Sequence, residues 1–456
     1  MPEPVADATL EALGYKPRFR RVLRRRDLIL YGLVILTPTA PYPVFGIVQQ
    51  LSGGHAALCY LVAMVAMLFT AASYGKMSGA FPAAGSTYTY TQRGLSEHLG
   101  FLAGWAMILD YMLIPLLSVV YASLTAARLA PQVPYFVWAT LFTALITWVN
   151  IQGIRVTARA SWFLMLVMGA SAVLFIGLAA RFVVAHAGAP SLLNRAALFN
   201  PETFALRPLL LGAGIATLSY IGFDAVSTLA EDTLRPERDI AMATVSICVV
   251  QTVICFVTVY LGALAWPAAE PFPHTETAIL DVGSRVGGPW MLGWITFVLL
   301  VAGLASALTG QAGASRLLFG MGRDGVLSRR VFAHVDPQSS TPKRALYAMA
   351  AVSLAGALVA RFQILVELLN FGAFVGFILV NLSVIRHYYF RLGRRSGVDK
   401  LTNLVFPSLG ALVCTWVWLN LSGKAKLAGF LWMGLGLLYL AAVTKGFRVP
   451  PRRLEV

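Results

Sequence analysis

Twelve apolar runs, each about the length of a bilayer crossing, dominate this 456-residue chain. They lie near 28–50, 56–75, 97–127, 133–152, 160–185, 205–230, 240–266, 286–318, 344–360, 363–386, 404–421 and 426–444. A helix needs about 20 apolar residues to cross the hydrocarbon core. Backbone N–H and C=O groups there must be satisfied internally, which leaves helices or closed barrels. Charged residues make up only 12% of the chain, against about a quarter in soluble domains. The expected fold class is an all-α integral membrane protein with twelve transmembrane helices.

A net charge of +16 invites a nucleic-acid reading, but the placement of the charges argues against one. With the amino terminus in the cytoplasm, 28 of the 36 lysines and arginines fall on the cytoplasmic side and eight outside. That bias is the positive-inside rule. Both termini are therefore expected in the cytoplasm, and the lipid bilayer rather than nucleic acid is the expected partner. Residues 1–27 form a polar, basic tail with no cleavable signal pattern, suited at most to anionic lipid. Cys59, Cys248, Cys255 and Cys414 sit in apolar runs without metal-ligand spacing, so neither a disulfide framework nor a metal site is expected. No Walker-type loop and no catalytic constellation occurs, which argues against an enzyme, a bound cofactor and nucleotide-driven pumping.

Two runs are not ordinary spans. From Thr37 to Gln50 the first reads T-P-T-A-P-Y-P-V-F-G-I-V-Q-Q, with Pro38, Pro41, Pro43 and Gly46 close together. Proline removes a backbone donor and clashes with the preceding turn, so a continuous helix is not expected here. Broken backbone at membrane depth is tolerated only in protein or beside a water-filled cavity, and it marks transporter substrate sites. The sixth run, G-A-G-I-A-T-L-S-Y-I-G-F-D-A-V-S-T from Gly212 to Thr228, carries Gly222 and the carboxylate Asp224 in mid-span. Breaks five helices apart fit two inverted five-helix repeats whose unwound segments meet. Interruptions are expected near Thr39–Gly46 and Ser219–Asp224.

Ionisable groups inside a membrane are costly and are functional candidates by default. Asp224 adjoins a break, where it can bind an ammonium group, take a coupling proton, or do both in turn; a structural carboxyl is the alternative. Asp110, in L-D-Y of the third run, is the second carboxylate candidate for substrate or proton, with a structural role equally open. Glu367 lies nearer the end of its run. The expected lining is Thr39, Ala40, Pro43, Val44, Phe45 and Gly46 from the first break, Tyr220, Gly222, Phe223 and Asp224 from the second, Asp110 and Tyr111, and Ser306 of the eighth run.

Several strings resemble those of the amino acid–polyamine–organocation transporter superfamily, and in particular its bacterial putrescine importers. They are L-T-P at Leu36 to Pro38, F-G-I-V at Phe45 to Val48, S-Y-G-K at Ser73 to Lys76 and F-P-A-A-G-S-T-Y-T-Y at Phe81 to Tyr90. Further on come G-F-L-A-G-W and L-D-Y between Gly100 and Tyr111, then G-F-D-A-V-S-T-L-A-E-D at Gly222 to Asp232. S-R-L-L-F-G-M-G-R-D at Ser315 to Asp324 and N-F-G-A-F-V-G-F at Asn370 to Phe377 complete the set. The resemblance implies a leucine-transporter-type 5+5 inverted repeat with discontinuous helices 1 and 6. In this chain that means a ten-helix core over 28–388, two peripheral helices over 389–446 and a C-terminal tail over 447–456. It also implies secondary active import of a small amine, polyamine or amino-acid-like solute across the cytoplasmic membrane, driven by protons. Exchange of amines or amino acids, and passive facilitation, are the competing modes. The resemblance departs at Pro43, where the putrescine importers carry an aspartate. The Gly-x-Gly turn with which amino-acid members hold a substrate carboxylate is also absent.

Overall fold

The computed structural model describes Phe19 and residues 21–267, 270–273, 275–359 and 362–448. Among these residues every regular element is helical, and strand-like pairing is limited to one isolated bridge between Leu23 and Thr233. In chain order the helices that matter here begin with α1 (Arg25–Leu36), α2 (Phe45–Leu51), α3 (Ala56–Ala80), α4 (Ser86–Gly94) and α5 (Glu97–Leu129). Then follow α6 (Tyr135–Ile151), α7 (Ile154–Ala187), α8 (Leu206–Ala216), α9 (Pro236–Ala265) and α10 (Ala278–Gly287). The last are α11 (Trp290–Arg323), α12 (Lys343–Val359), α13 (Phe362–Val384), α14 (Phe406–Leu419) and α15 (Gly423–Val443).

Among the described residues, nine helical segments are long and apolar enough to cross a membrane. The other three apolar runs hold shorter pieces: α1 and α2 divide the first, while α6 and α12, of 17 residues each, fill the fourth and ninth. The helix ends follow local chemistry. Ser96 Oγ accepts from Leu99 N at 3.2 Å to cap α5, and Pro236 opens α9, where its missing donor costs nothing.

Helices in lipid gain little from the hydrophobic effect between them, so they associate through close backbone approach and polar pairs. Gly75 of α3 lies against Ala241 of α9, where a methyl group on the glycine would come within 2.9 Å of the Ala241 Cα. Asn150 of α6 donates to Gln311 of α11 at 2.8 Å, and Gln311 donates to Thr147 at 2.8 Å. Asn381 of α13 donates to Thr70 of α3 at 3.0 Å and accepts from Ser73 at 2.7 Å. At the periphery, Trp105 of α5 and Trp432 of α15 each donate to the other's carbonyl at 2.9 Å.

Both expected interruptions are present, with shifted edges. Helix α1 ends at Leu36, Thr37 takes φ 59, and a short 3₁₀ turn, Tyr42–Val44, leads into α2. Phe45 and Gly46 are thus already helical, because a proline just ahead of a helix is no obstacle to starting one. In the sixth run α8 passes into a 3₁₀ turn, Thr217–Tyr220, then Gly222 at φ 108 and a second 3₁₀ stretch, Phe223–Asp232. This interruption runs eight residues beyond the expected Ser219–Asp224. A positive φ at residue 222 favours glycine, which lacks the Cβ that would clash.

Candidate functional site

The two breaks touch. A methyl group on Gly222 would lie 3.3 Å from Cγ1 of Ile35, the residue before the end of α1. Behind them stands α11, whose Gly313 lies against Tyr31, Ala225 and Tyr111; a methyl there would be 3.4 to 3.5 Å from each. Small residues let four elements converge at one point.

A helix that stops inside the bundle leaves its last carbonyls without partners. Here neighbouring side chains supply them. Ser306 Oγ of α11 donates to Ile35 O at 3.1 Å, and Gln251 Nε2 of α9 donates to Thr37 O at 2.8 Å. Tyr31 OH of α1 donates in turn to the Thr309 carbonyl of α11. The break is therefore a built conformation, held from two sides. Gln251 and Tyr31 escaped the sequence reading because each sits in an otherwise ordinary apolar helix. A lone amide in the run Val249 to Phe256 was the available signal for the former.

Asp224 is fully buried. Its Oδ2 accepts from Tyr111 OH at 2.6 Å, while Oδ1 has no partner among the described residues. Its backbone carbonyl accepts from Ser227 Oγ at 2.6 Å. One carboxylate oxygen is thus oriented and the other is left to a further donor. Phe223 packs its ring 5.5 Å from Tyr74 and 5.3 Å from Phe377. Asp110 is equally buried, and neither of its oxygens has a partner among the described residues. It lies next to Tyr111 and against α13, where a methyl on Gly372 would reach within 3.2 Å of its amide nitrogen.

The remaining expected residues spread out. Thr39 is buried and its hydroxyl has no partner among the described residues; Ala40 and Val44 are half-buried, and Pro43 is exposed. Phe45 packs on Phe272 at 5.8 Å, and a methyl on Gly46 would strike Thr275 O at 2.2 Å. Both therefore face the 272–278 segment. Tyr220 OH bonds with Thr252 Oγ1 at 2.7 Å and donates to Tyr60 O at 3.3 Å. The side chain of Glu367 lies outside the described residues.

At the far end of the second break, charges cluster. Arg316 Nε meets Asp232 at 2.6 Å and Arg323 meets Glu231 at 2.8 Å, all four side chains nearly or fully buried. The N-terminal segment straps across this end. Val22 N and Leu23 N donate to Asp232 O at 2.8 and 2.9 Å, and Arg25 pairs with Asp239 at 3.0 Å.

The model of the family described as amino acid permease matches residues 44–436. The chain belongs to that family. This permease is 31% identical over 96% of both chains to the low-affinity putrescine importer PlaP of Escherichia coli. It is 27% identical to the branched-chain amino acid permease BcaP of Bacillus subtilis, over 94% of each chain. To the methylthioribose transporter of the same organism it is 26% identical, over 94% of this chain and 95% of the relative. Membership in the superfamily, expected from the motifs, holds, and the protein is a transporter rather than an enzyme.

Proposed function

We propose that this permease is a secondary active importer of a small amine or amino-acid-like solute in the cytoplasmic membrane, with Asp224 as the partner of its ammonium group. The supporting observation is the buried Asp224 at the junction of two helix breaks, with one oxygen held by Tyr111 and the other open. A desolvated carboxylate needs a cation or a proton to be tolerable. Solute and proton can therefore alternate on the same group, which is the requirement for coupling them. Asp110, one residue from Tyr111, is the second group proposed for the proton. The reading also takes the twelve runs as twelve spans in a 5+5 inverted repeat, with both termini cytoplasmic. Relatives named for putrescine, branched-chain amino acids and methylthioribose support a small-solute importer and leave the solute open.

The test is uptake into proteoliposomes carrying an imposed pH gradient. The native protein is expected to accumulate a labelled amine above equilibrium. Asp224→Asn should abolish accumulation while leaving the protein folded and membrane-inserted. Equal initial rates in empty and solute-preloaded vesicles fit import; a strict need for preloading would replace it with exchange.

A further inference from the structure

Three buried polar atoms beside the first break have no hydrogen-bond partner among the described residues: Thr39 Oγ1, Tyr42 Oη and Gln251 Oε1. The residues are at most 1% exposed. They belong to one small region. Gln251 Nε2 donates to Thr37 O at 2.8 Å and to the Cys255 sulfur at 3.4 Å, which leaves the amide oxygen spare. Tyr42 lies within electrostatic range of the same Cys255 thiol, and its ring rests on Phe175 at 5.7 Å. The loop is folded back on itself by Tyr42 N donating to Thr39 O at 3.0 Å. Buried polar atoms are nearly always paired, and each exception asks for a partner that arrives from elsewhere. Three exceptions on one loop-and-helix junction, the nearest of them four residues along the chain from the Ile35–Gly222 contact, point to a bound solute.

Their chemistry selects the solute. A hydroxyl, a phenol and an amide oxygen are all neutral, and no aspartate or glutamate occurs between residues 28 and 96 or between 240 and 265. An ammonium placed among these three groups would be desolvated with only neutral atoms of theirs to bond, which is unfavourable. A hydroxyl would find both donors and acceptors. We propose that Thr39, Tyr42 and Gln251 form a neutral polar subsite for the far end of the solute. The preferred substrate then carries one ammonium and, at its other end, an uncharged hydrogen-bonding group such as a hydroxyl. This rests on Asp224 as the ammonium partner.

The experiment measures binding by thermal shift of the full-length purified protein with three four-carbon probes: 1-aminobutane, 4-amino-1-butanol and 1,4-diaminobutane. The amino alcohol is expected to bind about tenfold or more tightly than aminobutane, as one or two added hydrogen bonds allow. The diamine should be the weakest. Tyr42→Phe and Thr39→Val delete hydroxyls that no described residue hydrogen-bonds, so the melting temperature without ligand should hold or rise. The advantage of the amino alcohol should shrink about tenfold, with aminobutane unaffected. Equal affinities for the amino alcohol and aminobutane in the native protein overturn the subsite. So does an unchanged ratio in both variants, or tightest binding of the diamine. Asp224→Asn serves as the control on the underlying reading. If it keeps its affinity for all three probes, the ammonium assignment fails, whereas the ratio in Tyr42→Phe still judges the subsite. A native protein that binds none of the probes overturns both.

Discussion

Asp224 is oriented by a single side chain, the phenol of Tyr111. Hydrogen bonds to charged groups contribute about 1.5–3 kcal/mol, so their removal is felt as roughly ten- to a hundredfold in an equilibrium. Tyr111→Phe is accordingly expected to raise the KM for uptake by at least about tenfold while leaving maximal rates nearer the native value, measured by initial-rate kinetics in vesicles. An unchanged KM would mean that Asp224 does not meet the solute. The carboxylate and its neighbouring glycine were legible from sequence because a charge in an apolar run is rare and conspicuous. Ser306 was legible as a hydroxyl near the break, but its partner was not: the structure gives it to the Ile35 carbonyl. Which acceptor a serine finds depends on packing between helices, and no local pattern records that. The same limit hid Gln251, Tyr31 and the partners of Arg316.

The helical elements were legible as runs, and their interruptions as proline and glycine clusters. The edges of the breaks were not. Proline forbids a helix ahead of it more strongly than one behind it, so α2 could begin at Phe45, two residues after Pro43. The long 3₁₀ stretch, Phe223–Asp232, had no signal of comparable strength, since it holds neither proline nor glycine. What holds the elements together is close contact at small residues, and Gly75 is a sharp case because it meets backbone rather than a yielding side chain. Gly75→Leu should force α3 and α9 apart and lower stability by about 1–3 kcal/mol or more, read as a fall in melting temperature. A substitution to Leu at Gly169, which has nothing within 4 Å of its would-be side chain, should be nearly neutral by comparison.

For the molecule as a whole, orientation and the charged end can be tested together. Cysteines introduced into either tail of a cysteine-free background should react with an impermeant reagent only after the membrane is opened; labelling in intact cells would reverse the topology. Arg316 and Asp232 form a buried pair. Removing one partner alone strands the other, at a cost of about 3–5 kcal/mol. Arg316→Ala should therefore destabilise more than a paired apolar replacement of Arg316 and Asp232, compared by thermal unfolding. That same pair, with Arg323 and Glu231, has a consequence for the energy of motion. Dry ion pairs gain little net free energy, since attraction roughly cancels the loss of hydration. Asp232 Oδ1, Glu231 Oε2 and Arg316 Nη2 are not even fully bonded among the described residues. If this end of the bundle parts, water rehydrates four charges as their contacts break, and the two costs offset each other. A seal made of leucines would have to be pried open against the full penalty of wetting oil. One made of half-satisfied salt bridges is selective about its closed geometry yet nearly balanced against an open one, which suits it to the import cycle proposed above.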